Sequence, residues 1–317
     1  MIKKLGIYIL ITIILSYLIR DLIYVGIRKN TMGEYDKLNT IFQKQNHYDM
    51  LFMGSSRAES HFNPQIIDSI IHTDSYNIGL AGITTPLALA CLESYLIHSS
   101  MPKYVVLNID FHSFTGNEDT IYRFPKYFPY LSNNLLYEKL KEKDKRFYWF
   151  KWIPFYSMPF FSDKYLDASF RGYLGLRNES DKLYVKGYVP VSYEYAKDAD
   201  TLGYYYYDHM LMPKEEVFQS IDSIIGVCRK NAIQLVWVIS PVYHKLTESV
   251  INRNELLHRL KEVAKSNNIV LFDYTYDSLC YNKYLFNDPG HLNEKGSRSF
   301  SVKFAQDFCN ISKKQSF

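Results

Sequence analysis

Near the start of the chain Gly54-Ser55-Ser56-Arg57 follows the apolar run Met50-Leu51-Phe52-Met53, and near its end Asp288-Pro289-Gly290-His291 sets a carboxylate three residues before an imidazole. A serine hydroxyl is a weak nucleophile until an imidazole takes its proton, and the imidazole works best when a carboxylate holds its other nitrogen. Pro289-Gly290 forces a tight turn, so the Asp288 carboxylate can meet the His291 ring while Nε2 faces outward. These residue types point to acyl transfer, with Ser56 as nucleophile, His291 as proton shuttle and Asp288 as the orienting carboxylate. Ser55 is the alternative nucleophile; the turn geometry favours Ser56. An isolated Asp-x-x-His is a weak signal, and its value comes from its place in a chain that also carries Gly-x-Ser directly after an early strand.

The elements that would position these groups alternate. Met50 to Met53 reads as a buried strand after a polar linker, Gln65 to Ile71 as a short helix introduced by Asn63-Pro64, and Ser75 to Ile78 as a second strand ending in Gly79-Leu80-Ala81-Gly82. Thr85-Pro86 marks the start of a helix running to about His98, and Tyr104 to Ile109 is an apolar strand closed by Asp110. Val217, Phe218, Ile221, Ile224, Ile225 and Cys228 repeat at helical spacing after Pro213. Leu235 to Ile239 and Ile269 to Phe272 read as strands around an amphipathic helix, Glu255 to Ser266, and a further helix is expected after Asn293. Strands apolar on both faces, alternating with amphipathic helices, predict a three-layer α/β/α domain with a mainly parallel sheet. Reactive groups should gather at the carboxyl ends of its strands.

Composition sets the wider bounds. The chain has 317 residues, 47% of them hydrophobic and 22% charged, enough to bury a full core in one large domain. Net charge is +4 with the basic residues scattered, which argues against nucleic acid as a partner. Met1-Ile2-Lys3-Lys4 precedes a largely apolar stretch from Leu5 to Ile27, interrupted by Arg20-Asp21 and followed by Arg28-Lys29. With no alanine before Ala58 and no cysteine before Cys91, an uncleaved single-pass anchor is expected rather than a removed leader. The expected division is an anchor over residues 1–30 and a catalytic domain over 31–317, with the domain outside the cytoplasm. Cys91, Cys228, Cys280 and Cys309 show no metal-like spacing, so no metal is expected. A flavodoxin-type cofactor binder is disfavoured by the lack of Gly-x-Gly-x-x-Gly, and no cofactor is expected. Between about 115 and 210 the alternation gives way to an aromatic-rich insertion holding 16 of the 29 tyrosines, among them Tyr204 to Tyr207. Its rings could form a substrate-facing lid, lie at a membrane surface, or pack the insertion onto the core.

These motifs resemble those of the SGNH (GDSL-like) hydrolase superfamily, over roughly Asp49 to Ser301 apart from the insertion. Gly54-Ser55-Ser56 is similar to the first block, Asn77-Ile78-Gly79-Leu80-Ala81-Gly82 to the second, and Asp288-Pro289-Gly290-His291 to the last. The resemblance implies a flavodoxin-like SGNH fold and an oxyanion hole built from the N–H groups of Ser56 and Gly82. The third block departs from the family's Gly-x-Asn-Asp: this chain reads Asn108-Ile109-Asp110-Phe111-His112, placing His112 at about the asparagine's position, where it either donates the missing hydrogen bond or is a loop histidine without a role.

The anchor, the Gly-Ser-Ser variant and the altered third block together are similar to membrane-anchored SGNH proteins that modify cell-envelope polymers. That resemblance implies a serine esterase or O-acyltransferase acting on acyl or acetyl esters of a surface glycan, working at the membrane with an acyl-transfer partner there. The competing expectation is an inactive protein of the same fold that binds glycan or a partner membrane protein. Arg57 is expected as a salt-bridged arginine or an anion contact, His61, Asp208 and His209 as structural loop residues, and Ser240-Pro241 as shaping the pocket. Asp273 and Asp277 are expected in a solvated loop.

Overall fold

The structure is a computed structural model that describes residues 2–114, 121–177, 184–192 and 210–315, excluding the side chains of 112, 113 and 313–315. Its helices are α1 (Ile2–Lys29), α2 (Gly33–Phe42), α3 (Ser56–His61), α4 (Pro64–Ile71), α5 (Thr85–His98), α6 (Asn134–Lys143), α7 (Arg146–Trp152), α8 (Pro154–Ser157), α9 (Asp163–Leu174), α10 (Glu215–Lys230), α11 (His244–Glu248), α12 (Arg253–Ser266) and α13 (Glu294–Gln315). The strands are β1 (Met50–Met53), β2 (Ser75–Asn77), β3 (Tyr104–Asn108), β4 (Gln234–Ile239), β5 (Val270–Asp273), β6 (Phe286–Asp288) and β7 (His291–Leu292). Short stretches of 3₁₀ helix, such as Phe111–Phe114 and Phe124–Tyr130, punctuate the chain.

Five parallel strands form one sheet in the order β2-β1-β3-β4-β5, the flavodoxin-like order. The strand register explains the apolar runs. Leu51, Met53, Val105, Leu107, Leu235 and Trp237 face a core built with α2, α5, α10 and α12, while Met50, Phe52, Val106, Val236 and Val238 face a second core built with α4 and α13. Phe52 stacks on Phe62 at 4.9 Å and meets Phe304 edge-on at 5.9 Å. Each such fully buried ring contributes roughly 1.5–3 kcal/mol. The α/β/α expectation is thus observed. Strand order reverses between β1 and β3, so their carboxyl ends open side by side, where an α/β sheet leaves room for a ligand.

Two features differ from the sequence expectation. The segment before β1, expected as a polar linker, is the helix α2, with Lys37, Leu38, Asn39 and Ile41 fully buried. Its lysine and asparagine read as solvated because their partners lie far away in the chain. The cap of α5 is Thr84, one residue earlier than expected, with the proline in the first turn.

The described part of the insertion forms a small core of its own. Phe124, Phe128, Phe147, Phe150 and Phe160 stack within about 4.7–6.5 Å of one another. Residues 184–192 then strap the exposed edge of the sheet: Asn77 N–H donates to the Lys186 carbonyl at 2.9 Å and Val189 N–H to the Glu59 carbonyl at 3.1 Å. The four consecutive tyrosines at 204–207 lie outside the described residues, as do Asp208 and His209.

Helix α1 is 28 residues long and apolar enough to cross a membrane, and its last turns are packed into the protein. The contact with α9 is close enough that a Cβ on Gly172 would lie 1.9 Å from the Gly26 carbonyl oxygen, and one on Gly26 would lie 2.2 Å from Ser169 Oγ. Gly172→Ala is therefore expected to prise the two helices apart at a cost of about 1–3 kcal/mol. Thermal unfolding of the full-length chain in detergent checks this; an unchanged midpoint would show that the crossing does not need glycine there.

Candidate active site

Strand β1 delivers the first half of the site. Gly54 ends it at φ +141°, and a Cβ there would press on the Asn108 backbone and the Ala58 side chain at 3.0 Å. The chain turns sharply and enters α3, whose first residue is Ser56. The second half is the antiparallel pair β6 and β7, with Asp288 opposite His291 in register. Gly290 N–H donates to Asp288 Oδ1 at 2.8 Å across the turn, which holds the carboxylate toward the ring.

The two halves meet. Ser56 Oγ lies 2.7 Å from His291 Nε2, and His291 Nδ1 lies 2.9 and 3.0 Å from the two Asp288 oxygens. With its carboxylate partner on Nδ1, the ring carries its proton there and presents the Nε2 lone pair to Ser56. Burial pushes the Asp288 carboxyl up, but hydrogen bonds from His291, Gly290 and Asn287 outweigh it, leaving the group below the usual carboxylate range and ionised at neutral pH. The adjacent Ser55 does something else: its hydroxyl donates to Asp110 Oδ2 at 2.9 Å.

Arg57 ties the loops together. Its Nη1 donates to Asp110 Oδ1 at 2.8 Å, at the end of β3, and its Nε donates to the Gly290 carbonyl at 3.0 Å, inside the Asp288–His291 turn. The residue is buried, so of the two sequence expectations the salt-bridged arginine is the one observed. Asp110 looked from sequence only like the polar end of a strand; its clamp on Ser55 and Arg57 was not foreseen.

His61, expected as a structural loop residue, is instead the fully buried last residue of α3, and its ring gives the structural role a specific form. Leu292 N–H donates to its Nε2 at 3.0 Å, so its proton sits on Nδ1, which faces Ser240 Oγ at 3.0 Å. The imidazole thereby fixes the backbone of the residue next to His291, and Ser240 orients it in turn. Burial, the neighbouring His291 and Arg57 together hold His61 well below its ordinary value of 6.5. The folded chain keeps it neutral where the unfolded chain takes up a proton, so stability falls as pH drops below about 6.5, by up to about 1.4 kcal/mol per pH unit. Urea unfolding of the wild type should weaken between pH 7 and pH 5 more than that of His61→Gln. Parallel curves for the two proteins would remove His61 from this account.

The loop after β2 closes the rim. Leu80 N–H donates to the Gly54 carbonyl at 3.1 Å, and the Asn77 carboxamide both accepts from Gly79 N–H at 2.9 Å and donates to the Ala58 and Phe62 carbonyls at 2.7 and 2.9 Å. This carries Gly82, at φ +65°, to a point where a Cβ would strike the Tyr122 side chain at 2.5–2.8 Å. The insertion therefore touches the rim through Tyr122. Beneath the loop, Lys37 Nζ reaches Glu59 Oε1 at 2.7 Å and the Gly79 carbonyl at 2.5 Å.

The third block is where the sequence resemblance was weakest. The side chain of His112 lies outside the described residues; its backbone belongs to the 3₁₀ turn after Asp110. Both polar atoms of the Asn108 side chain are buried without a hydrogen-bond partner among the described residues. Asn108 lines a narrow recess with Gly54, Ser55, Thr85, Asp110 and Phe114. Asp273 and Asp277 sit elsewhere: Asp273 accepts from Thr275 N–H and Asp277 from Leu279 N–H. Among the described residues no cluster of His, Cys, Asp or Glu could hold a metal ion, and the four cysteines are free.

No protein-family profile and no curated protein matches this sequence. Among solved structures the chain is similar to a provisionally assigned acylhydrolase from Bacteroides fragilis, at 14% identity and a TM-score of 0.42, with 87% of this chain and 93% of that chain covered. It is also similar to a GDSL-like lipase from Bacteroides thetaiotaomicron, at 12% identity and a TM-score of 0.38, covering 82% and 88%. The functional reading rests on the chain's own residues.

Proposed function

We propose that this chain is a membrane-tethered serine esterase or O-acyltransferase of the SGNH type, acting outside the cytoplasm on acyl or acetyl esters of a cell-envelope glycan. The observation that carries the reading is the 2.7 Å contact between Ser56 Oγ and His291 Nε2, with Asp288 on the far side of the ring. Ser56 Oγ attacks the ester carbonyl as its proton passes to His291 Nε2. The Asp288 carboxylate stabilises the imidazolium and keeps the ring oriented. The oxyanion of the tetrahedral intermediate is met by the N–H groups of Ser56 and Gly82. As that intermediate collapses, the C–O bond to the leaving alcohol breaks and His291 returns the proton to the alcohol. The acyl group is then on Ser56. Water, or a sugar hydroxyl, gives a proton to His291 as its oxygen attacks the acyl-serine carbonyl; the bond between the acyl carbon and Ser56 Oγ then breaks, His291 returns the proton to Oγ, and the free acid or the new ester leaves.

A fluorophosphonate probe tests the assignment on the full-length protein in detergent. Wild type is expected to label, Ser56→Ala not at all, and His291→Ala only weakly. Equal labelling of all three proteins would refute the assignment of Ser56 and His291, and no labelling of the folded wild type would leave the fold as a glycan- or protein-binding scaffold.

A further inference from the structure

We infer that the part of the insertion spanning 146–177 is a second membrane contact, an aromatic collar that seats the domain on the bilayer surface where α1 emerges; this rests on reading α1 as the membrane span. The geometry of α1 sets the height. Every side chain from Ile2 to Leu15 is exposed, and Ile2 to Ile19, at about 1.5 Å per residue, runs about 27 Å, close to the roughly 30 Å of a hydrocarbon core. Beyond that point the helix is claimed by the insertion. Tyr17 hydroxyl donates to the Trp152 carbonyl at 2.6 Å, Arg20 Nη1 to the Lys151 carbonyl at 3.2 Å, and Tyr173 hydroxyl to the Leu22 carbonyl at 2.7 Å. A lipid-exposed length that ends near Arg20 spans a bilayer only if the bilayer surface lies at that level. The insertion stands there.

Its outer surface suits that position. Helix α9 buries Tyr165, Ala168, Ser169 and Gly172 inward and leaves Leu166, Phe170 and Leu174 exposed on another face at i, i+4, i+8 spacing. Trp149 and Trp152 of α7, and Phe155 of α8, are also about half exposed. Such a patch is unusual on a surface facing water. Rings with polar tips and flanking cations belong at the headgroup level: Arg20 lies 4.9 Å over the Tyr17 ring and Lys151 5.4 Å over the Trp152 ring. Residues 144–177 carry six basic against three acidic side chains, which favours anionic headgroups. Continuity with the exposed surface of α1 selects a lipid surface over a protein partner.

The three tryptophans of the chain make the test direct, since Trp237 is fully buried in the sheet while Trp149 and Trp152 are on the collar. Full-length protein is placed in nanodiscs of phosphatidylcholine and phosphatidylglycerol, with and without chain-brominated phosphatidylcholine, which quenches nearby indoles. Brominated lipid is expected to remove about half of the total tryptophan emission. In the double variant Trp149→Phe/Trp152→Phe, conservative at exposed positions, the remaining emission should not respond. If the protein co-elutes with the discs and brominated lipid changes nothing, the anchor stands and the collar is overturned, the patch then facing water or a protein. Protein that elutes apart from the discs overturns the span and the collar together.

Discussion

Ester turnover is expected to fall about 10⁵- to 10⁶-fold in Ser56→Ala and about 10⁴-fold in Asp288→Asn, measured as kcat/KM on an aryl acetate with the full-length chain in detergent. The two losses have different origins. Removing the Ser56 hydroxyl removes the atom that is acylated in the proposed reaction. Converting Asp288 to an amide keeps the shape of the turn but lets a carboxamide N–H face His291 Nδ1, now 2.9 Å from Oδ1, which drives the ring proton to Nε2. The lone pair that should accept the Ser56 proton is then occupied. Because the three residues act as one unit, the double variant Ser56→Ala/His291→Ala should be hardly slower than Ser56→Ala alone. Ser55→Ala is the internal control: it loses only the bond to Asp110 and should cost less than about tenfold, near the worth of one hydrogen bond. Loss of turnover in Ser55→Ala with activity retained in Ser56→Ala would transfer the nucleophile to the neighbouring serine.

The largest stability effect is expected at Lys37, beneath the loop that leads to Gly82. Its ammonium is fully buried, and burial pushes it toward the neutral form while Glu59 pulls it back. Lys37→Met would leave the Glu59 carboxylate and the Gly79 carbonyl without their shared donor, the situation in which breaking a buried pair costs about 3–5 kcal/mol. Glu59 lies on α3 three residues after Ser56, and Gly79 opens the loop to Gly82, so lost turnover should accompany the lost stability. Lys37→Met/Glu59→Gln removes both charges and should recover much of the difference in a urea unfolding experiment. A single variant as stable as the wild type would show that the pair is not needed to hold the two loops together.

Much of the fold was legible because its signals are local. Four apolar residues at 50–53, five at 235–239 and four at 104–107 could only be strands buried on both faces, and helical spacing in 215–230 left one reading for α10. The Asp288–His291 turn was legible for the same reason: three residues apart across a proline and a glycine, its geometry is nearly fixed by chain stereochemistry. Lys37 and Arg57 were not legible in the same way, because a charged side chain in sequence gives no sign of a partner 22 or 53 residues away.

The amino-acid sequence by itself determined the alternation of elements, the apolar character of α1 and the three residue types suited to acyl transfer, since each follows from spacing within a few turns of chain. Tertiary structure alone decided which serine faces which imidazole. It turned His61 into a brace for β7 and Lys37 into a strut beneath the second loop, and it set the insertion against the last turns of α1. Those outcomes depend on strand order and on which distant surfaces exclude water together, quantities that no short window of sequence contains.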